Sequence, residues 1–161
     1  EQYLDLAYKI KREIPDVSLT TDIIVGFPGE TKEDFLDTLD VVEKVQYDAA
    51  FTFIYSKRSG TPAAKWDDQI DPETIKNRFD RLLKNVQEIA ANNTKKNEGR
   101  CMPVLVEGKN EQMEGYLCGK LDNNLTVHFK GGERLIGEIV DVYLDEAKGF
   151  YYMGHIKTSE E

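Results

Sequence analysis

The stretch T-D-I-I-V-G-F-P-G-E-T, residues 21–31, decides the reading of the first half of the chain. Ile23, Ile24 and Val25 form an apolar run that reads as a buried strand, and Gly26, Pro28 and Gly29 break it in a tight turn. Thr31 followed by Asp34 is a capping box with Asp in place of Glu, so a helix opens immediately after the turn. The surroundings repeat this strand-turn-helix order. The apolar spacing predicts a helix to about Glu13, a strand over 18–25, a helix over 32–45, a second strand over 49–55 and a long helix from Pro72 to about Lys96. Phe35, Leu36, Leu39, Val42 and Val45 make the buried stripe of the middle helix, and Asp71 before Pro72 opens the last one. Alternation of this kind implies parallel strands joined by crossover helices. Because two strands do not make a stable sheet alone, the segment is expected to belong to a larger α/β sheet or barrel.

Near residue 98 the pattern changes to short alternating runs punctuated by Gly and Asn, which sets expected domains at 1–97 and 98–161. Strands are predicted over 102–107, 115–120, 125–129, 136–144 and 150–156, with Asn110, Asn123, Asn124, Gly131, Gly132 and Gly149 among the turn residues. Five short antiparallel strands in so few residues suit a small closed barrel of the oligonucleotide-binding (OB-like) kind, with a small β-sandwich as the alternative. The fold class is therefore α/β followed by all-β. The acidic end, Ser159 to Glu161, reads as a frayed terminus.

Charge and composition narrow the function. The chain has 161 residues and a net charge of −9; residues 1–97 carry 14 basic against 18 acidic side chains, and residues 98–161 carry 7 against 12. Neither half is basic, which by itself argues against a nucleic-acid binder that works through phosphate neutralisation. No run approaches the length of a membrane span, so no membrane partner is expected. Glu1 stands where an initiator Met would, and helical spacing begins at once, so the sequence reads as an excised piece without a signal peptide. Cys101 and Cys118 are too few for a disulfide scaffold; a cytoplasmic chain with reduced thiols is expected, the two cysteines serving as small apolar fillers of the barrel.

Two strand ends invite a ligand. The 26–31 turn offers backbone amides at the C-terminal edge of a strand, where α/β folds place their sites; the alternative is a tight turn whose glycines serve conformation only. The second strand runs into Lys57, Arg58 and the Gly60-Thr61-Pro62 turn, which offers cations and hydroxyls to an anion or is a solvated surface loop. On the long helix Lys76, Arg78, Arg81 and Lys84 read as the wet side of an amphipathic helix. In the barrel, Tyr116, His128, Phe129, Tyr151 and Tyr152 offer stacking faces, with Lys109, Lys120, Lys130 and Arg134 near phosphates; core packing is the competing role for the aromatics. No spacing of Cys, His or carboxylates resembles a metal site, and no catalytic residue is assigned.

Residues 21–31, the run F-T-F-I-Y-S-K-R-S-G-T-P-A at 51–63 and the five-strand tail together resemble the C-terminal part of the radical S-adenosylmethionine methylthiotransferases, in particular those acting on tRNA. The resemblance covers nearly the whole chain. It implies the closing strands and helices of a radical S-adenosylmethionine (β/α) barrel followed by an RNA-contacting TRAM barrel. It also implies two 4Fe-4S clusters in the full-length parent and insertion of a methylthio group at C2 of N6-isopentenyladenosine next to the anticodon. Carried over by this resemblance, Asp22, Ile24, Gly26, Phe53 and Arg58 would contact S-adenosylmethionine, and Lys109, Tyr116, Lys120, His128, Lys130 and Arg134 would contact a tRNA anticodon stem-loop. The C-x-x-x-C-x-x-C motif of the family is absent, so this chain is expected to bind neither the clusters nor S-adenosylmethionine by itself, to be inactive alone, to hold RNA weakly and to be a monomer. G-K-L-D-N-N-L at 119–125 stands where the family resemblance calls for an Arg-bearing stretch. Competing readings are a methylthiotransferase for threonylcarbamoyladenosine tRNA or for a ribosomal-protein aspartate, and a non-catalytic RNA-binding module.

Overall fold

A computed structural model describes residues 1–157; the acidic end at Ser159 to Glu161 lies outside the described residues. The chain forms two compact units, residues 1–89 and 90–161 by backbone contacts. The first contains α1 (Gln2–Glu13), β1 (Thr20–Val25), α2 (Lys32–Val45), β2 (Ala49–Ile54), a short 3-10 turn (Ala63–Lys65) and most of α3 (Pro72–Lys95).

β1 and β2 pair in parallel, with Asp22 opposite Phe51 and Ile24 opposite Phe53. Successive strand residues point to opposite faces, so Ile23, Val25 and Ala50 fall on one side. There they join a core with Ala7 of α1, Phe35, Val42 and Val45 of α2, and Leu82, Val86 and Ile89 of α3. Ile24, Phe51 and Phe53 lie on the other side and are half-exposed. One sheet face is thus roofed by all three helices while the opposite face presents apolar side chains. The capping box at the start of α2 forms as read: the Thr31 hydroxyl accepts from the Asp34 amide, and the Asp34 carboxylate accepts from the Thr31 amide.

The second unit is a closed barrel of β3 (Cys101–Lys109), β4 (Tyr116–Lys120), β5 (Thr126–Lys130), β6 (Ile139–Ala147) and β7 (Tyr151–Ile156), in spatial order β3-β4-β5-β7-β6. The strands are not all antiparallel as expected, because β5 and β7 run parallel. The reason is parity: strand direction cannot alternate all the way around a closed ring of five, so at least one neighbouring pair must be parallel. Val104, Val106, Leu117, Val127, Phe129, Val142, Leu144 and Tyr152 alternate inward and fill the interior. Gly154 is required where β7 presses on β6; a Cβ there would stand 2.8 Å from Val142 Cγ1 and against the Tyr143 carbonyl.

The two units divide within α3, before the change of periodicity at residue 98. The last turns of the helix belong to the barrel unit through Thr94, whose carbonyl accepts from the Tyr152 hydroxyl at 2.9 Å and whose own hydroxyl reaches the Gly149 carbonyl at 3.1 Å.

Candidate functional site

At the C-terminal ends of β1 and β2 lies a cavity of about 630 Å³, lined by Asp22, Ile24, Phe27, Phe53, Ile54, Tyr55, Ser56, Arg58, Thr61 and Ala63. Four of the five residues expected to meet a cofactor, Asp22, Ile24, Phe53 and Arg58, are therefore gathered on one concave surface. The register explains the gathering, since Ile24 and Phe53 are cross-strand partners on the open face and Asp22 lies two residues upstream on that face. The loop that carries Arg58 and Thr61 is pinned. The Thr61 amide and hydroxyl both donate to the Arg58 carbonyl, and the Gln69 side-chain amide donates to the Ala63 and Trp66 carbonyls.

Gly26 does not line the cavity. Its φ of 75° is the left-handed conformation that favours glycine, and a Cβ there would stand 2.7 Å from Ile75 Cγ1. Nor are most amides of this turn free for a ligand, contrary to expectation. The Gly26 amide donates to Glu30 Oε2 at 2.9 Å, the Gly29 amide to the Asp68 carbonyl at 2.9 Å and the Glu30 amide to the Phe27 carbonyl at 2.9 Å. These donors are paired within the turn or, for Gly29, with a distant loop, because leaving buried amides unpaired is costly. Glu30 in turn receives Arg78, whose guanidinium Nη1 donates to the Glu30 carbonyl and carboxylate. Arg78 is buried and is no part of a wet helix side; its guanidinium also lies 5.7 Å from the Phe35 ring centroid.

In the barrel unit the inward residues of β4 and β5 place Tyr116, Lys120, His128 and Lys130 on one outward face, with Tyr116 opposite Lys130 and Lys120 opposite Thr126. The Lys130 ammonium sits 5.7 Å from the Tyr116 ring centroid. Tyr151 continues this face, its ring 5.2 Å from that of His128, and Phe150 stands beside it, 5.6 Å away and three-quarters exposed. Phe129 and Tyr152, two expected stacking residues, are fully buried core instead, because they have inward parity. Lys109 is engaged by Glu133 at 2.7 Å, and Arg134 lies on the Glu133–Leu135 turn that follows β5 rather than on a strand.

His128 is held neutral by its surroundings. Asn110 Oδ1 accepts from the Gln112 and Met113 amides, which turns the Asn110 nitrogen toward His128 Nδ1 at 3.0 Å. An amide nitrogen can only donate, so Nδ1 carries a lone pair and the ring proton is on Nε2. Burial, and then the Lys120 charge, push the imidazole below its ordinary range.

Cys101 and Cys118 are half-buried and occupy outward-parity positions rather than filling the barrel. Burial pushes the Cys118 thiol up. Gly108 of β3 is opposite Cys118, and Cys101 lies seven residues before it, on the order of 20 Å along an extended strand. The two thiols therefore cannot share a metal. Among the described residues no three His, Cys, Asp or Glu side chains are grouped to hold an ion, and no helix is long and apolar enough to cross a membrane.

Comparison with known proteins completes the description. Residues 95–157 match the TRAM domain. The chain is 59% identical over 156 residues to the tRNA-2-methylthio-N(6)-dimethylallyladenosine synthase of Lachnoclostridium phytofermentans, covering 97% of this chain and 34% of that protein. The chain is similar to part of these synthases over almost its whole length, and its residues 95–157 form a TRAM domain. The like-named proteins of Clostridium perfringens and Alkaliphilus oremlandii are 50% and 47% identical over 156 residues, again 97% of this chain and 35% and 33% of theirs. The chain thus spans about a third of the length of the curated relatives it matches. The matches run through both the β1–β2 unit and the TRAM domain, so the family resemblance of residues 21–31 and 51–63 holds. In the TRAM domain the sequence pattern missed Phe150 as a surface aromatic and Asn110 as the partner of His128. In the first unit it missed Glu30 and the buried state of Arg78. The T-x-x-D capping signal left Glu30 without an assigned partner, and only the spatial approach of α3 supplies one.

Proposed function

We propose that the chain supplies one wall of the S-adenosylmethionine site and the RNA-holding barrel of a methylthiotransferase that acts on N6-dimethylallyladenosine in tRNA. The observation that carries this reading is the meeting of Asp22, Ile24, Phe53 and Arg58 on one cavity at the ends of two parallel strands. The residues fit the group. Ile24 and Phe53 offer flat apolar surface to a purine, Asp22 a carboxylate acceptor for ribose hydroxyls, and Arg58 a cation for the carboxylate of the methionyl part. When bound, S-adenosylmethionine supplies a radical on reductive cleavage and the methyl group of the product. The residues of this chain bind and orient it: Asp22 and Arg58 set its direction, and the apolar strand face excludes water from it. The two 4Fe-4S clusters do not fit here, since Cys101 and Cys118 stand too far apart. No chemical step is assigned to this chain alone, and we expect it to be inactive by itself.

RNA is assigned to the outward β4–β5 face of the TRAM domain. In OB-like barrels the second and third strands, with the loops joining strands one to two and four to five, form the nucleic-acid surface. In this barrel those elements are β4 and β5, the 110–115 loop and the 148–150 loop, which bring Tyr116, Lys120, His128, Lys130 and the exposed Phe150 to one side. Stacking carries more of the binding than charge, and an anticodon stem-loop binds weakly. Lys109 and Arg134 flank this surface. Residues 1–97 then serve the cofactor and residues 98–161 the RNA, in a cytoplasmic, monomeric protein. Equilibrium dialysis of labelled S-adenosylmethionine against the chain tests the first assignment. Against the sequence-based expectation of no cofactor on this chain alone, the gathered cavity calls for measurable binding that Arg58→Ala and Asp22→Ala each weaken; no binding, or binding unchanged by both, rejects it.

A further inference from the structure

The cavity at the ends of β1 and β2 has two chemically different sides. Asp22, Ile24 and Phe53 form a floor on the sheet face, whereas Phe27 and Tyr55 line it at the strand tops, with Trp66 outside the lining and packed against Phe27. The Phe27 ring meets Tyr55 at 5.1 Å between centroids and Trp66 at 5.7 Å, both edge-to-face. Phe27 and Trp66 are exposed, while the Tyr55 hydroxyl is buried without a hydrogen-bond partner. Such a hydroxyl is costly unless something completes it, and orphaned buried polar atoms in a cavity mark where a ligand places its own polar group. The cluster is held in place, since the loop bearing Trp66 is tied back by Gln69 and by the Gly29 amide on the Asp68 carbonyl.

We propose that Phe27, Tyr55 and Trp66 form a second subsite, which receives the N6-alkylated adenine of the RNA substrate, with the Tyr55 hydroxyl as its hydrogen-bond partner. The assignment rests on the proposed methylthiotransferase reading. It fits on chemical grounds. Exposed aromatic faces take a flat base by stacking, and an apolar N6 substituent has apolar wall to lie on. The base nitrogens and exocyclic N–H supply the partner that the phenol lacks. Placing this subsite next to the cofactor floor brings the reacting base and the cofactor into one cavity without either displacing the other.

Trp66 is the single tryptophan of the chain, so its emission reports on this subsite directly. N6-dimethylallyladenosine nucleoside titrated into the full chain should quench Trp66 saturably, with affinity at least fivefold above that for adenosine and with cytidine weaker still. Phe27→Leu should remove most of the preference for the alkylated base. Tyr55→Phe should weaken nucleoside binding several-fold while leaving the melting temperature of the free chain unchanged or raised, an outcome that a structural tyrosine would not give. Absence of saturable quenching, equal affinity for the three nucleosides, or a lowered melting temperature with unaltered affinity in Tyr55→Phe overturns the proposal. Dialysis of labelled S-adenosylmethionine on the same samples separates the two ideas: retained cofactor binding with no nucleoside response rejects this subsite alone.

Discussion

Arg78 of α3 clasps the end of β1 through Glu30, its Nη1 donating to the Glu30 carbonyl at 2.9 Å and to the Glu30 carboxylate, whose other oxygen accepts from the Gly26 amide. Both side chains are about nine-tenths buried. The clasp fixes the turn that sets the direction of Phe27 and the mouth of the cavity, and it holds α3 against α2 through Phe35. Removing one member of a buried pair leaves the other charge uncompensated. Arg78→Ala should therefore destabilise the first unit by about 3–5 kcal/mol, read by denaturant unfolding. A loss no larger than that for Lys84→Ala, whose side chain is exposed, would show that the clasp contributes little.

The neutral state of His128 predicts a pH effect in the barrel. Its folded pKa is depressed, so below the unfolded value of about 6.5 the unfolded chain binds more protons than the folded one. The contribution of His128 to stability is then intact above that pH and is lost as pH falls from there toward the folded value. Thermal melts of the barrel unit between pH 7.5 and 5 should show a decline that His128→Gln abolishes; an unchanged slope in the variant would assign the decline to other groups.

The close approach of β6 and β7 predicts intolerance at a single position. Gly154→Ala must move Val142 or the Tyr143 backbone, and overpacking of this kind costs about 1–3 kcal/mol. The barrel transition, followed by near-ultraviolet circular dichroism of its tyrosines, should shift down, whereas Gly132→Ala, with only a contact at 4.0 Å, should shift it little.

RNA binding should respond more to rings than to salt. Lys109 is engaged by Glu133, and Lys120 donates to Thr126 and to the Asn124 carbonyl, so few free cations face a phosphate. Two or three contacts give a slope of log affinity on log salt of about −2 to −3. Phe150→Ala should cost about 1–3 kcal/mol if one base stacks there, and Lys130→Ala should flatten the slope by about 0.9. Titration of an anticodon stem-loop at two salt concentrations decides between them; a steep slope with no effect of Phe150→Ala would place the RNA elsewhere.

Anaerobic reconstitution with iron and sulfide should load no stoichiometric cluster on this chain, because Cys101 and Cys118 lie on different strands and at different levels of the barrel. A visible absorption band that Cys118→Ser removes would contradict this register.

The sequence by itself determined the elements, because their signals are local. Periodicity placed α2 at its observed bounds, Thr31 and Asp34 fixed its start, and the Asp71-Pro72 pair opened α3. Asp22, Ile24, Phe53 and Arg58 come together in the sequence only through the family resemblance of the runs at 21–31 and 51–63; the parallel register then accounts for Asp22, Ile24 and Phe53 sharing one sheet face. Tertiary structure alone decided what depends on closure and on approach from afar. Ring parity made β5 and β7 parallel, inward parity buried Phe129 and Tyr152 while leaving Tyr116 and His128 outside, and Asn110 fixed the protonation of His128. Arg78 looked like solvated charge because helical spacing specifies a face but not what lies over it. Glu30, 48 positions away in the chain, turned that cation into the buried brace of the turn.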